Sequence, residues 1–139
     1  MSDIQFPNSL LGPGNFFAEL QDNDGSPTQV LEAGRKIRIH TYWRISPVAA
    51  SLLGGQWVVK VYVESIGPGP EKLIGTDTIA VNGGQNYEAT VVVPPNTLEN
   101  NPPEPTSGVY KVVSVLTHRN FGANTTVAAV AEGPVVRIA

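Results

Sequence analysis

The side chains that could do chemistry in this chain are few. Asp22-Asn23-Asp24-Gly25 sets two carboxylates one residue apart ahead of a glycine, as the opening of a calcium loop does. The rest of that loop pattern is missing, and a turn rich in Asp and Gly accounts for the same four residues. His40 and His118 are the only histidines. A metal site would need both to converge with a carboxylate, and their positions on alternating segments argue against it. His40 lies opposite Trp43 in side-chain parity and faces out, whereas His118 shares parity with Tyr110 and Val112 near the end of its strand. Glu99 and Glu104 are close in sequence but sit in a polar, proline-rich stretch, where a carboxylate is hard to desolvate and so hard to turn into a general acid. Asn124-Thr125-Thr126 matches a glycosylation acceptor, which matters only in a secreted protein. The sequence contains no nucleophile elbow, phosphate loop, dinucleotide fingerprint or His-Glu-x-x-His, and it has no cysteine for thiolate chemistry, disulfides or zinc. The expectation is therefore no catalytic residue, no cofactor and no metal.

The elements that would carry these residues read as strands. In Ile37 to Ile45, the residues Ile37, Ile39, Thr41, Trp43 and Ile45 share one parity, and Arg38, His40, Tyr42 and Arg44 take the other. That alternation is the mark of a half-buried strand. Trp57, Val59, Val61 and Val63 repeat it against Val58, Lys60, Tyr62 and Glu64 until Gly67-Pro68-Gly69-Pro70 stops the run. Further strands are expected at Phe16 to Leu20, Leu73 to Val81, Tyr87 to Val93, Val109 to Arg119, Thr126 to Ala131 and Val135 to Ile138. Pro94 to Gly108 holds five prolines and reads as a surface loop. No helical pattern supplies crossovers, so the sheets are expected to be antiparallel. The fold class is all-β: a two-sheet antiparallel sandwich of about seven strands, with residues 1–14 as an N-terminal arm and 15–139 as the domain.

Composition agrees. A length of 139 residues suits one domain able to bury a core without disulfides or metal, and 14 glycines with 12 prolines suit short strands and tight turns. A net charge of -3, without a basic run interleaved with aromatics, argues against nucleic acid as a partner. The first fifteen residues lack a secretory pattern and no apolar run is long enough to span a bilayer. The chain thus reads as cytoplasmic as synthesised, without a membrane span, although export by another route stays open.

With these strands in place, the chain resembles the immunoglobulin/fibronectin type III superfold over about residues 15 to 138. The resemblance rests on Trp57, which stands where that fold has a Trp on its third strand, and on Gly108-Val109-Tyr110, which resembles the tyrosine corner opening the sixth strand. Val112 stands where the second cysteine would be, and Ile39 or Thr41 where the first would be. The resemblance thus implies a cysteine-free, fibronectin-like or bacterial variant. It further implies that Trp57 and its valine neighbours form the inter-sheet core, and that the Tyr110 hydroxyl ties down the loop before it.

Strands three and six of such a sandwich are neighbours. Their outward positions would be Val58, Lys60, Tyr62 and Glu64 on one, and Val109, Lys111, Val113, Val115 and Thr117 on the other. That face is apolar for a solvated surface, and Val58, Tyr62, Val113 and Val115 are expected to be covered by another copy of the chain or by the arm, whose Ile4, Phe6, Leu10 and Leu11 could dock and which could also add to a sheet edge of its own or a neighbouring copy. The opposite parity for strand six would turn Tyr110, Val112, Ser114 and Leu116 outward instead. The expected role is a non-catalytic structural or interaction module that self-associates. The alternative is a carbohydrate or small-ligand module, with Tyr42 or Tyr62 stacking on sugar rings. Loops 46–56 and 119–125 should meet at one end of the sandwich, and loops 21–34, 65–72 and 94–108 at the other, where stiff prolines suggest a second contact surface.

Overall fold

A computed structural model of the chain describes residues 2–21, 30–31, 36–65, 71–94 and 109–138. The strands are β1 (Ser2–Asp3), β2 (Asn15–Gln21), β3 (Val30–Leu31), β4 (Ile37–Arg44), β5 (Gln56–Ser65), β6 (Glu71–Ala80), β7 (Asn86–Val93), β8 (Val109–Asn120) and β9 (Ala123–Ile138). Seven of these are long, and β1 and β3 are two-residue edge pieces. One sheet runs β1-β2-β4-β7 and the other β3-β9-β8-β5-β6. Every long pairing is antiparallel, and only the short β3–β9 contact is parallel. The molecule is an all-β two-sheet sandwich.

The alternation read in the sequence decides which residues are buried. Ile37, Ile39, Thr41 and Trp43 of β4, Trp57, Val59, Val61 and Val63 of β5, and Tyr87, Ala89, Val91 and Val93 of β7 all point into the space between the sheets. Strand β8 contributes Tyr110, Val112, Ser114, Leu116 and His118 to that interior, so the alternative parity for this strand is overturned. At one end of the core the rings interlock. Trp43 lies parallel to Tyr87 at 5.9 Å, and Trp57 meets Trp43 edge-on at 6.0 Å and His118 at 5.0 Å. Offset and edge-to-face contacts of this kind add to what area burial alone provides. Thr41 is tolerated inside because its hydroxyl donates to the Ala89 carbonyl at 2.8 Å.

Three departures from the sequence expectation have local causes. The stretches at Thr126 to Ala131 and Val135 to Ile138 form one strand, because Gly133, at φ 91°, sits in a bulge. Lys111 pairs with Val135 and Val113 with Glu132, so two residues oppose Val112 and the ladder resumes beyond them. The segment 46–56, read as a loop, contains a short helix α1 (Pro47–Leu52), started by Ser46, whose Oγ accepts from the Ala49 amide at 3.1 Å, with Pro47 at its first position. The arm, finally, is folded onto its own domain. Ser2–Asp3 pairs with β2, Ile4 is buried in the core at 5% exposure, and Gln5 bridges to Ala128 of the other sheet.

Candidate functional site

His40 and His118 belong to different sheets and different environments. His40 lies on the outer face of the four-stranded sheet, 3.3 Å from the exposed Glu88 carboxylate. His118, near the end of β8 and on the parity of Tyr110 and Val112, is buried. Its Nε2 lies within hydrogen-bond reach of the Gly54 carbonyl, and its Nδ1 is 2.9 Å from Thr125 Oγ1. Nε2–H donates to the Gly54 carbonyl, and the Thr125 hydroxyl, which also donates to the His118 backbone carbonyl at 3.2 Å, closes the contact on the other side of the ring. The ring thereby pins the α1–β5 connection to the β8–β9 hairpin, which is a structural task. Among the described residues no three His, Asp or Glu side chains converge as a metal site would require. Asp22 to Gly25, Glu99 and Glu104 lie outside the described residues, as does the loop that Tyr110 was expected to hold. Asn124 is exposed at the start of β9.

Two outer faces remain as candidates for binding. On the five-stranded sheet, register aligns Leu73, Tyr62 and Val113 in one row and Lys60, Val115 and Val130 in the next. Leu73, Val130 and Val135 are well exposed, while Tyr62, Val113 and Val115 are half-buried among them. Of the residues singled out in the sequence, Val58 lies on this face but is only 6% exposed, between Thr78 and Thr117, and adds little surface. Ile4 has its partners within its own chain, and the half-buried Phe6 packs against the core beside it. Leu73, Val130 and Val135 were missed because only the alignment of four strands puts them beside Tyr62 and Val113. The face also carries charge of both signs: Lys60 and Glu64 are exposed, and Lys111 pairs with Glu132 at 3.2 Å.

The outer face of the four-stranded sheet is polar around an aromatic pair. Phe17 stacks on Tyr42 at 4.6 Å with the rings 10° from parallel, and His40 leans on the same Tyr42 at 5.7 Å. Asn15, Arg44, Asn86 and Glu88 complete an open depression of about 700 Å³.

Comparison with known proteins bears on the scaffold. No family model matches the chain, and no curated protein matches it either. Among solved structures, it is similar to part of a β-glucosidase from Listeria innocua in complex with gluconolactone, at 12% identity and a TM-score of 0.52. It is also similar to part of a β-glucosidase from Erythrobacter marinus, at 10% identity and a TM-score of 0.53. The likeness is one of fold alone. The match covers 90% and 91% of this chain but only 16% of each enzyme, so this chain spans a small part of their length. No described helix is long and apolar enough to cross a membrane.

Proposed function

We propose that this chain is a non-catalytic interaction module of immunoglobulin/fibronectin type III type, which associates with further copies of itself through the outer face of its five-stranded sheet. The strand order β2-β4-β7 against β9-β8-β5-β6, with Trp57 buried on the third long strand, supports the superfold assignment. The observation that carries the functional reading is the aligned apolar face of Tyr62, Leu73, Val113, Val115, Val130 and Val135 on the outside of a folded sandwich. A solvated sheet face leans toward polar residues, and this one sets six apolar side chains among its lysines and glutamates. A second copy suits it as occupant because the face carries both signs of charge, Lys60 near Glu64, so a two-fold axis can bring each against its opposite.

Light scattering over a concentration series tests the reading. The wild-type chain is expected to exceed its monomer mass of 14.8 kDa, and Val113→Lys and Tyr62→Lys to return to it with unchanged circular dichroism. A monodisperse wild-type monomer at millimolar concentration removes self-association.

The depression on the other sheet supports a second reading, as a carbohydrate-binding module. The half-exposed Phe17 and Tyr42 form a pre-stacked wall, and Asn15, Asn86, Arg44 and Glu88 offer donors and acceptors suited to sugar hydroxyls. On this reading a glycan array gives hits that Tyr42→Ala abolishes. A blank array with folded protein eliminates it.

A further inference from the structure

One end of the sandwich is built from segments that hold no charged residue. Four connections converge there: residues 4–14, 45–55, 81–86 and 120–126. Arg44 pairs with both Asn15 and Asn86, Gln56 pairs with both Arg119 and Ala80, and Ser46 Oγ donates to the Leu11 carbonyl at 2.7 Å. The chain holds 12 acidic and 9 basic residues, yet none of them falls in these four segments. Besides Gly, Pro, Ser, Asn, Gln and Thr, the segments hold apolar side chains, some buried in the core and four large ones well exposed. Phe121 is 99% exposed, Leu10 75%, Leu52 69% and Val48 48%.

Phe121 is the most informative of the four. It occupies the two-residue turn between β8 and β9 at φ 51°, followed by Gly122 at φ 77°. A turn of this kind favours Asn, Asp or Gly at its first central position, because a left-handed backbone strains a residue with a bulky side chain. A phenylalanine there gives up local stability and makes no contact with its own domain in return. Its side chain stands exposed at the tip of the hairpin, at the same end of the sandwich as the exposed Leu10, Val48 and Leu52.

We infer that this end is a membrane-contact tip, which seats Phe121, Leu52, Leu10 and Val48 in the headgroup and acyl boundary of a neutral phospholipid bilayer. Two features select a lipid surface as the occupant. The exposed apolar side chains stand on three separate connections, residues 9–11, helix α1 and the β8–β9 turn, and none of them lines the pocket of about 380 Å³ formed beside them by Ile4, Phe6 and Asn8. The four segments contribute no charged side chain, which matches an acyl boundary where charge is penalised, whereas a protein–protein contact has a polar, charge-tolerant rim. The nearest charges stand at the strand ends behind the tip, on Asp3, Arg44 and Arg119, and the Arg119 guanidinium donates to the Gly122 carbonyl at 2.8 Å. Two basic side chains beside the tip, Arg44 and Arg119, with one acidic one, Asp3, and a net charge of -3 on the chain give no electrostatic preference for acidic lipid.

Flotation of the full chain with phosphatidylcholine vesicles tests the inference. Wild-type protein is expected to float with the vesicles, to do so equally in 50 mM and 500 mM salt, and to lose at least ten-fold in affinity on Phe121→Asp or Leu52→Asp. Both side chains are exposed, so both variants should keep the wild-type circular dichroism. Val113→Lys, on the other sheet face, should float as wild type does, so failure here is distinguishable from failure of the self-association reading. In a Phe121→Trp variant, the added indole should emit as an exposed group in buffer and shift to the blue with vesicles. The inference is overturned if wild type stays unbound, if binding needs phosphatidylserine and disappears in salt, or if Phe121→Asp binds unchanged. It is also overturned if Phe121→Asp lowers the mass in solution while vesicles never bind, since the tip would then dock on protein.

Discussion

Trp57→Ala is expected to destabilise the fold by about 3–5 kcal/mol, the range for deleting a large aromatic from a packed core. Trp57 is fully buried and meets Trp43, Tyr87 and His118 at ring-centroid distances of 6.0, 5.9 and 5.0 Å. It therefore joins the two sheets through β4 and β7 on one side and β8 on the other. No neighbour can fill the space by changing rotamer, because those same rings hold one another. With a total stability of about 5–15 kcal/mol typical of domains, the loss removes about a fifth or more of it and lowers the melting temperature by about 10–20 °C. Urea unfolding followed by the emission of the remaining Trp43 measures the change, and Trp57→Phe should recover part of it. A loss under about 1 kcal/mol for the alanine variant would show that the core packs without this ring.

That prediction uses a residue whose place was legible in the sequence, and the reason is physical. A strand with one face on a core repeats every two residues, so Trp57 with its valines, and Trp43 with its isoleucines, declared their inward side without any tertiary information. The same logic placed His118 inside through its parity with Tyr110 and Val112, but parity says nothing about what a side chain bonds to. The link from His118 to Gly54, 64 residues away, depends on how two loops meet. Helix α1 escaped because six residues give too little periodicity, although Ser46-Pro47 is a recognisable start. Strand β9 looked like two pieces because Gly133-Pro134 punctuates a sequence in the same way whether it ends a strand or bulges it. Half of the apolar outer face was visible as alternation within β5 and β8. The other half, Leu73, Val130 and Val135, belongs to it only through register. The charge-free end was invisible for a related cause: its four segments are unremarkable singly and acquire meaning only when the strand order brings them together.

The loop that joins helix α1 to β5 gives the second large effect, and it sets two adjacent glycines against each other. Gly55→Ala is expected to cost about 3 kcal/mol, whereas Gly54→Ala should be neutral or slightly stabilising. At Gly55 the backbone is left-handed, with φ 85°, which costs a residue bearing Cβ about 1–2 kcal/mol. A Cβ there would also stand 2.1 Å from the Arg119 carbonyl oxygen and 3.1 Å from Asn120 Cα. Those atoms are backbone of β8, held in register by Gln56 opposite Arg119, so no side-chain rotation relieves the clash and overpacking adds about 1–3 kcal/mol. At Gly54, by contrast, a Cβ meets nothing within 4 Å, and alanine restricts the unfolded chain. The Gly54 carbonyl that receives His118 is untouched by a methyl group on its Cα. Thermal and urea unfolding of the two variants side by side decide the matter. Equal losses would mean that the α1–β5 connection does not press on the β8–β9 hairpin as closely as this geometry requires.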